Sequence, residues 1–243
     1  MTARRTLATA RRVVEQLRHD PRTVALILVV PCVLMGLLAW MLSSEDFDRY
    51  GAPLLGIFPL IVMFLTTSVA TLRERESGTL ERLLSMPIGK ADFVLGYALA
   101  FGVLGIIQAL LVSGLSIGVF GLDVRGPAWA LLVVAVVDAL LGTALGLFVS
   151  AFARTEFQAV QFMPALILPQ LLLCGIIVPR DELPDALRLL SNMLPMSYAV
   201  DATTEVMTQT SVTAEFWTNV AVVAVFMVVG LALGAATLRR RTP

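Results

Sequence analysis

Six stretches of this chain run apolar for 20 residues or more without a Lys, Arg or His: 23–42, 53–72, 93–122, 126–153, 157–178 and 216–238. A helix needs about 20 such residues to cross roughly 30 Å of hydrocarbon. Inside lipid every backbone N–H and C=O must find its partner within the segment or in a closed barrel. Continuous apolar runs, rather than ten-residue stretches of alternating character, select helices over a barrel. The pattern therefore predicts an all-α polytopic membrane protein with six transmembrane helices. Pro31, Pro59, Pro164 and Pro169 fall inside these runs and are expected to kink or loosen them. The third and fourth runs are longer than a bilayer requires and are expected to tilt or to project from it. The first run, beginning at Thr23 and lacking a small-x-small cleavage site, reads as a span and not as a signal peptide.

The segments between the runs carry patterns of their own. Residues 3–19 place Ala3, Leu7, Ala10, Val14 and Leu17 at spacings of four and three, with Arg4, Arg5, Arg11, Arg12 and Arg18 on other faces. This predicts a basic amphipathic helix lying in the headgroup layer, or more simply a positive flank that sets orientation. In the 179–215 segment Leu183, Leu187, Leu190 and Leu194 step by four, three and four. Pro184 is suited to a first helical turn and Pro195 is expected to end the pattern. That predicts one short re-entrant or interfacial helix before the sixth span. Between the second and third runs, Arg73 to Ile88 brings charges of both signs, then Gly78, then an apolar edge of Leu80, Leu83 and Leu84, and Pro87 to stop the helix. A short helix with an apolar ridge and a charged flank suits the docking of a soluble partner, although an ordinary connector at the membrane edge has the same pattern.

Charge then orients the chain. Of the 18 Lys and Arg residues, 14 lie on the flanks formed by the N-terminus, the 73–92 loop, Arg154 and Arg239 to Arg241, and only Arg49, Arg125, Arg180 and Arg188 lie opposite. The excess of basic residues marks the cytoplasmic side. Both termini and residues 73–92 are thus expected in the cytoplasm of an inner-membrane protein, with 179–215 outside. Composition agrees, at 58% hydrophobic and 15% charged, and a net charge of zero gives no general attraction to nucleic acid.

Little of the remaining inventory is catalytic. Cys32 and Cys174 are far apart within apolar runs and read as small buried side chains. The single His19, beside Asp20, reads as a solvated residue. The pair Gly89–Lys90 is not a phosphate loop, since Leu84 and Ala91 stand where Gly and Ser or Thr are required. No metal-ligand spacing and no Ser/His/Asp set is present, so the chain is expected to bind no metal or cofactor and not to be an enzyme.

The stretch Glu74-Arg-Glu-Ser-Gly-Thr-Leu-Glu-Arg-Leu-Leu-Ser-Met-Pro87 resembles the acidic-x-x-Gly-Thr-Leu-Glu-x-Leu-Leu-x-x-Pro signature of type-2 ABC exporter permeases. The outer stretches from Val178 to Leu187 and from Leu194 to Asp201 are similar to the re-entrant helices of drug- and antibiotic-export members. The resemblance implies that residues 76–87 form a coupling helix. Glu76, Gly78, Leu80, Glu81, Arg82, Leu83 and Leu84 would meet a separate ABC ATP-binding subunit, which carries ATP and Mg. It further implies a dimer with a second permease copy or a homologue, lipid contact, and export of a hydrophobic or amphipathic compound such as a drug, an antibiotic or a lipid-like molecule.

Asp138 is the one ionisable residue inside any of the six runs. A bare carboxylate there is costly, about 2.5–3.5 kcal/mol on insertion scales. Asp138, with Gln108 and Gln161, is therefore a candidate for the wall of a translocation path, the alternative being an acid hydrogen-bonded between helices. Three Gly-x-x-x-Gly pairs, Gly114/Gly118, Gly142/Gly146 and Gly230/Gly234, offer close helix approach. Two further readings compete with the exporter subunit. A stand-alone proton-coupled transporter needs more than one intramembrane acid, and a non-transporting anchor does not need six spans.

Overall fold

The computed structural model describes residues 3–76 and 89–237. Among them the chain forms nine α-helices and one 3-10 turn, with no strand. These are α1 (Ala3–Arg18), α2 (Pro21–Met41), α3 (Ser44–Glu76), α4 (Lys90–Gly118) and α5 (Ala128–Ser150). There follow α6 (Glu156–Leu173), the turn Arg180–Glu182, α7 (Asp185–Ser191), α8 (Pro195–Thr208) and α9 (Ala214–Thr237). Six of them, α2 to α6 and α9, are long and apolar enough to cross a membrane. Below, the end of the bundle bearing α1 is called the basic end and the end bearing α7 the acidic end.

Local chemistry fixes where these helices start and stop. Asp20 caps α2, accepting from the Thr23 N–H at 3.2 Å and its hydroxyl at 2.6 Å. The second span begins nine residues earlier than its apolar run. The Ser43 hydroxyl accepts from the Asp46 N–H at 3.2 Å and donates to its carboxylate at 2.8 Å, and Glu45 and Asp46 sit at the positive end of the helix dipole. Residues 44–52 are therefore helical and not an open loop, and α3 reaches 33 residues, about 50 Å at 1.5 Å per residue. The third run is shortened instead. Gly121, at φ +80°, allows the Leu122 N–H to reach back to the Ser116 carbonyl at 2.9 Å, a glycine-terminated helix end, so the chain leaves the helix well before residue 122.

Two of the three glycine pairs are contacts. The helices α3 and α5 run parallel, with Gly56 opposite Asp138 and the Leu60 and Phe64 carbonyls over Gly142 and Gly146. A Cβ at Gly142 would lie 2.2 Å from the Leu60 oxygen, and one at Gly146 2.6 Å from the Phe64 oxygen. Lipid offers helices no hydrophobic drive to associate, so this closeness, with the dispersion contacts it allows, holds the pair together. Gly230 and Gly234 set α9 against Ala144 and Leu147 of α5, whereas Gly114 and Gly118 face open space. This places α5 at the centre, packed by α3, α4, α8 and α9.

At the acidic end the expectation of a single short helix ended by Pro195 is corrected. The helix α7 is short and exposes Leu187, Leu189 and Leu190. Pro195 then begins α8 instead of ending the pattern, because its fixed φ suits the first helical position. The helix α8 is buried along Met196, Ala199, Ala202 and Val206 and packs on α3, α5 and α9. At the basic end α1 lies on α4, burying Thr6, Thr9, Ala10 and Val13. Its packed face is therefore rotated from the expected apolar stripe, whose Leu7 is 62% exposed.

Candidate functional site

The six spans bury few ionisable groups, and Asp138 is the deepest of them. It lies in α5 at 1% exposure, its Oδ2 pressed against Gly56, where a Cβ would stand 2.2 Å away. Gly56 is thus required to make room for the carboxylate. Its Oδ1 has no hydrogen-bond partner among the described residues. Around it Val134, Val137, Ala199, Ala202, Val220 and Val223 leave a gap with no room for a water molecule. The helix α8 therefore closes over Asp138 with two alanines. Gln108 is also fully buried, in α4, and neither of its amide atoms has a hydrogen-bond partner among the described residues. Gln161 instead lies on the exposed surface of α6. The three candidates of the translocation path are thus divided between the buried interior, which holds Asp138 and Gln108, and the exposed surface of α6, which holds Gln161. Further buried hydroxyls, Thr67, Ser68 and Thr71 on α3 and Ser113 and Ser116 on α4, are not singled out by the sequence analysis, and all lack a hydrogen-bond partner among the described residues. Their signal was polar residues stepping by three and four within apolar runs.

A large polar cavity of about 980 Å³ opens at the acidic end, bounded by the start of α3, the 119–127 segment, the 174–183 segment and the outer face of α8. All four arginines assigned to this side by the charge count, Arg49, Arg125, Arg180 and Arg188, line it together with Asp48, Asp123 and Asp201. Arg180 is the organising residue. It pairs with Asp201, donates to Asn192 and lies 5.4 Å from the Tyr198 ring centroid. Burial pushes the Asp201 carboxyl up from the usual range, and Arg180 beside it pulls it part of the way back. Asp48 accepts from the Asp123 N–H at 2.8 Å, and the Gly126 N–H reaches the Val206 carbonyl at 2.9 Å, so the 119–127 segment is tied to both walls.

The basic end is an ion-paired platform. Arg12 of α1 grips Glu74 of α3 at 3.3 Å and donates to the Tyr97 hydroxyl of α4 at 3.0 Å, and Gln16 donates to Glu74 at 3.0 Å. Thr6 donates to Asp92 at 3.4 Å. Arg73 holds Glu156, at the start of α6, through two bonds of 2.7 and 2.9 Å, and Arg75 donates to the Ser150 carbonyl of α5. Three successive side chains of α3 thus bind α1, α6 and α5. Immediately beyond them Glu76, exposed, is the last residue of the helix. Gly78, Leu80, Glu81, Arg82, Leu83 and Leu84, the rest of the expected coupling set, lie outside the described residues. No group of three or more His, Cys, Asp or Glu side chains placed to hold a metal occurs among the described residues.

Comparison with known proteins supplies what geometry alone does not. The family described as ABC-2 type transporter matches residues 4–208. The chain is 30% identical over 158 residues to the Escherichia coli (strain K12) protein named "Probable multidrug ABC transporter permease YbhS", covering 65% of this chain and 41% of that protein. It is 26% identical over 168 residues to "Probable multidrug ABC transporter permease YbhR" of the same organism, covering 69% of this chain and 46% of that one. It is 24% identical over 213 residues to "Linearmycin resistance permease protein LnrN" of Bacillus subtilis (strain 168), covering 87% and 55%. The chain therefore spans about half the length of the curated relatives it matches.

Proposed function

Because the chain belongs to the ABC-2 type transporter family, we propose that it is the membrane subunit of an ATP-driven exporter. It moves a hydrophobic or amphipathic compound out of the cytoplasm and is powered by a separate ATP-binding subunit, on which ATP and Mg are held. The observation that carries this reading is the family match over residues 4–208, which takes in the first five spans, the 77–88 segment and α8. The names of the relatives, multidrug and antibiotic-resistance permeases, favour such a cargo.

In this reading the basic end faces the cytoplasm and residues 76–87 dock the ATPase, with Leu80, Leu83 and Leu84 in an apolar groove and Glu76, Glu81 and Arg82 at its rim. Gly78 turns the chain into the docking helix. The platform of Arg73, Glu74 and Arg75 supports the docking by tying the stem of that segment to α6, α1 and α5. A second permease copy or a homologue covers the apolar surfaces left by α2, α6 and α9, whose most apolar stretches are each only 17% buried. Asp138, Gln108 and Gln161 belong to the translocation path, the first two being reached when the helices packed over them part. The rival reading, a stand-alone proton-coupled transporter, draws on Asp138 alone.

Reconstitution separates the two. Vesicles holding the permease and its ATPase are expected to accumulate a lipophilic drug only with ATP and Mg present. Accumulation driven by a proton gradient across vesicles holding this chain alone would favour the rival.

A further inference from the structure

A second cavity, of about 500 Å³, lies at the basic end between α1, α2, α3 and α4, and neither the docking segment nor the polar groups of the spans accounts for it. Its volume is in the range of small-molecule sites. Val13, Leu17, Leu65, Val69, Ala70 and Phe101 give it an apolar interior, and Asp20, Arg73 and Glu74 stand at its polar margin. The margin is net negative, two carboxylates against one guanidinium, and Arg73 is already bound through two hydrogen bonds to Glu156 outside the cavity. Glu74 is met by Arg12 and Gln16. Asp20 accepts from the Thr23 hydroxyl and N–H, which, with the Arg73 guanidinium and the Arg22 N–H adding to them, hold its carboxyl below the usual range, and among the described residues it forms no ion pair. Thr23 brings the start of α2 to the cavity, and farther along the same helix Leu26, Val29 and Val30 are exposed on its surface.

An apolar interior beside a membrane with a carboxylate at its margin selects one ligand chemistry. A phosphate or sulfate headgroup would meet Asp20 as a like charge, whereas an ammonium is attracted to it. We propose that this cavity binds a single-chain cationic amphiphile, its ammonium head at Asp20 and its hydrocarbon along Leu65, Val69 and Phe101. Only the leaflet from which the ligand enters rests on the exporter reading; the binding itself does not.

The test uses the full chain in phosphatidylcholine nanodiscs, without nucleotide or ATPase, and measures equilibrium binding of radiolabelled tetradecyltrimethylammonium above that of empty nanodiscs. Saturable binding is expected, with tetradecyl sulfate failing to compete. Asp20→Asn keeps the cap of α2, since Asn caps as well as Asp. It is expected to weaken binding about fivefold, the scale of one exposed ion pair. Ala70→Phe is expected to remove the saturable component by filling the interior, with helicity unchanged. Unaltered affinity in Asp20→Asn, equal competition by tetradecyl sulfate, or binding that survives Ala70→Phe in a folded protein would each overturn the proposal. Retention of the ATPase is read in a separate experiment, so failure here leaves the exporter reading standing, and loss of the ATPase with intact ligand binding tells against that reading alone.

Discussion

Single residues set the distances in this bundle, and glycine sets the shortest of them. Gly142 is pressed on the Leu60 carbonyl, a backbone atom that cannot swing aside, so Gly142→Leu forces α3 and α5 apart. Overpacking of this kind costs about 1–3 kcal/mol. Gly114→Leu meets nothing within 4 Å and is expected to melt with the unmodified protein. Thermal aggregation of the two variants in one detergent checks the contrast, and equal melting would place the seam elsewhere. Asp138→Asn keeps the shape that Gly56 accommodates and is expected to leave the melt unchanged while altering export or substrate preference, as a residue of the path should. Unchanged kinetics across several substrates would return Asp138 to a structural role. The sequence marked Asp138 as the one charged position in a span, and it marked the glycine spacings. It gave no sign of Gly56, because an isolated glycine acquires meaning only from the partner placed opposite it.

At the scale of elements, the apolar runs located all six membrane-length helices, and their errors lie at the ends. A hydrophobicity pattern stops where polar residues begin, but helix continues wherever a cap permits. Ser43 with Asp46 carries α3 back through an acidic segment, and Gly121 ends the departure from α4 inside an apolar one. The pattern predicts a stop at Pro195 because a proline breaks the helix before it, yet the same ring starts the helix after it. The attachment of α1 was illegible for another reason. Arg12 and Glu74 are 62 positions apart, and no local pattern joins them. That pair predicts a measurable hinge. Arg12→Glu is expected to cost α1 about 1.5–3 kcal/mol of attachment, the scale of hydrogen bonds to a charged group. Faster amide exchange over residues 3–18 would report it, with recovery when Glu74→Arg is added. Exchange at the unmodified rate in the single variant would mean that Thr9, Ala10 and Val13 hold α1 unaided.

For the whole molecule, the two ends differ in chemistry as a membrane protein's two faces do, with one platform of ion pairs at the end of α3 and one charged cavity opposite. The assignment of faces predicts that a cysteine at Thr208, exposed at the end of α8, reacts with an impermeant thiol reagent in intact cells, while one at Ser77 reacts only after lysis. Both are made in a background with Cys32 and Cys174 replaced. The reverse pattern would invert the topology. The central claim is that residues 76–87 couple this chain to a separate ATPase, and purification of docking variants with that ATPase tests it most directly. Truncating a buried anchor costs more than about 1 kcal/mol, whereas rim charges act mainly on rates and salt dependence. Leu83→Ala and Leu84→Ala should therefore lose the ATPase, or its substrate-stimulated hydrolysis, while Glu81→Ala retains both at moderate salt. Full retention and full stimulation in the two leucine variants would contradict the account and leave the segment a connector between spans.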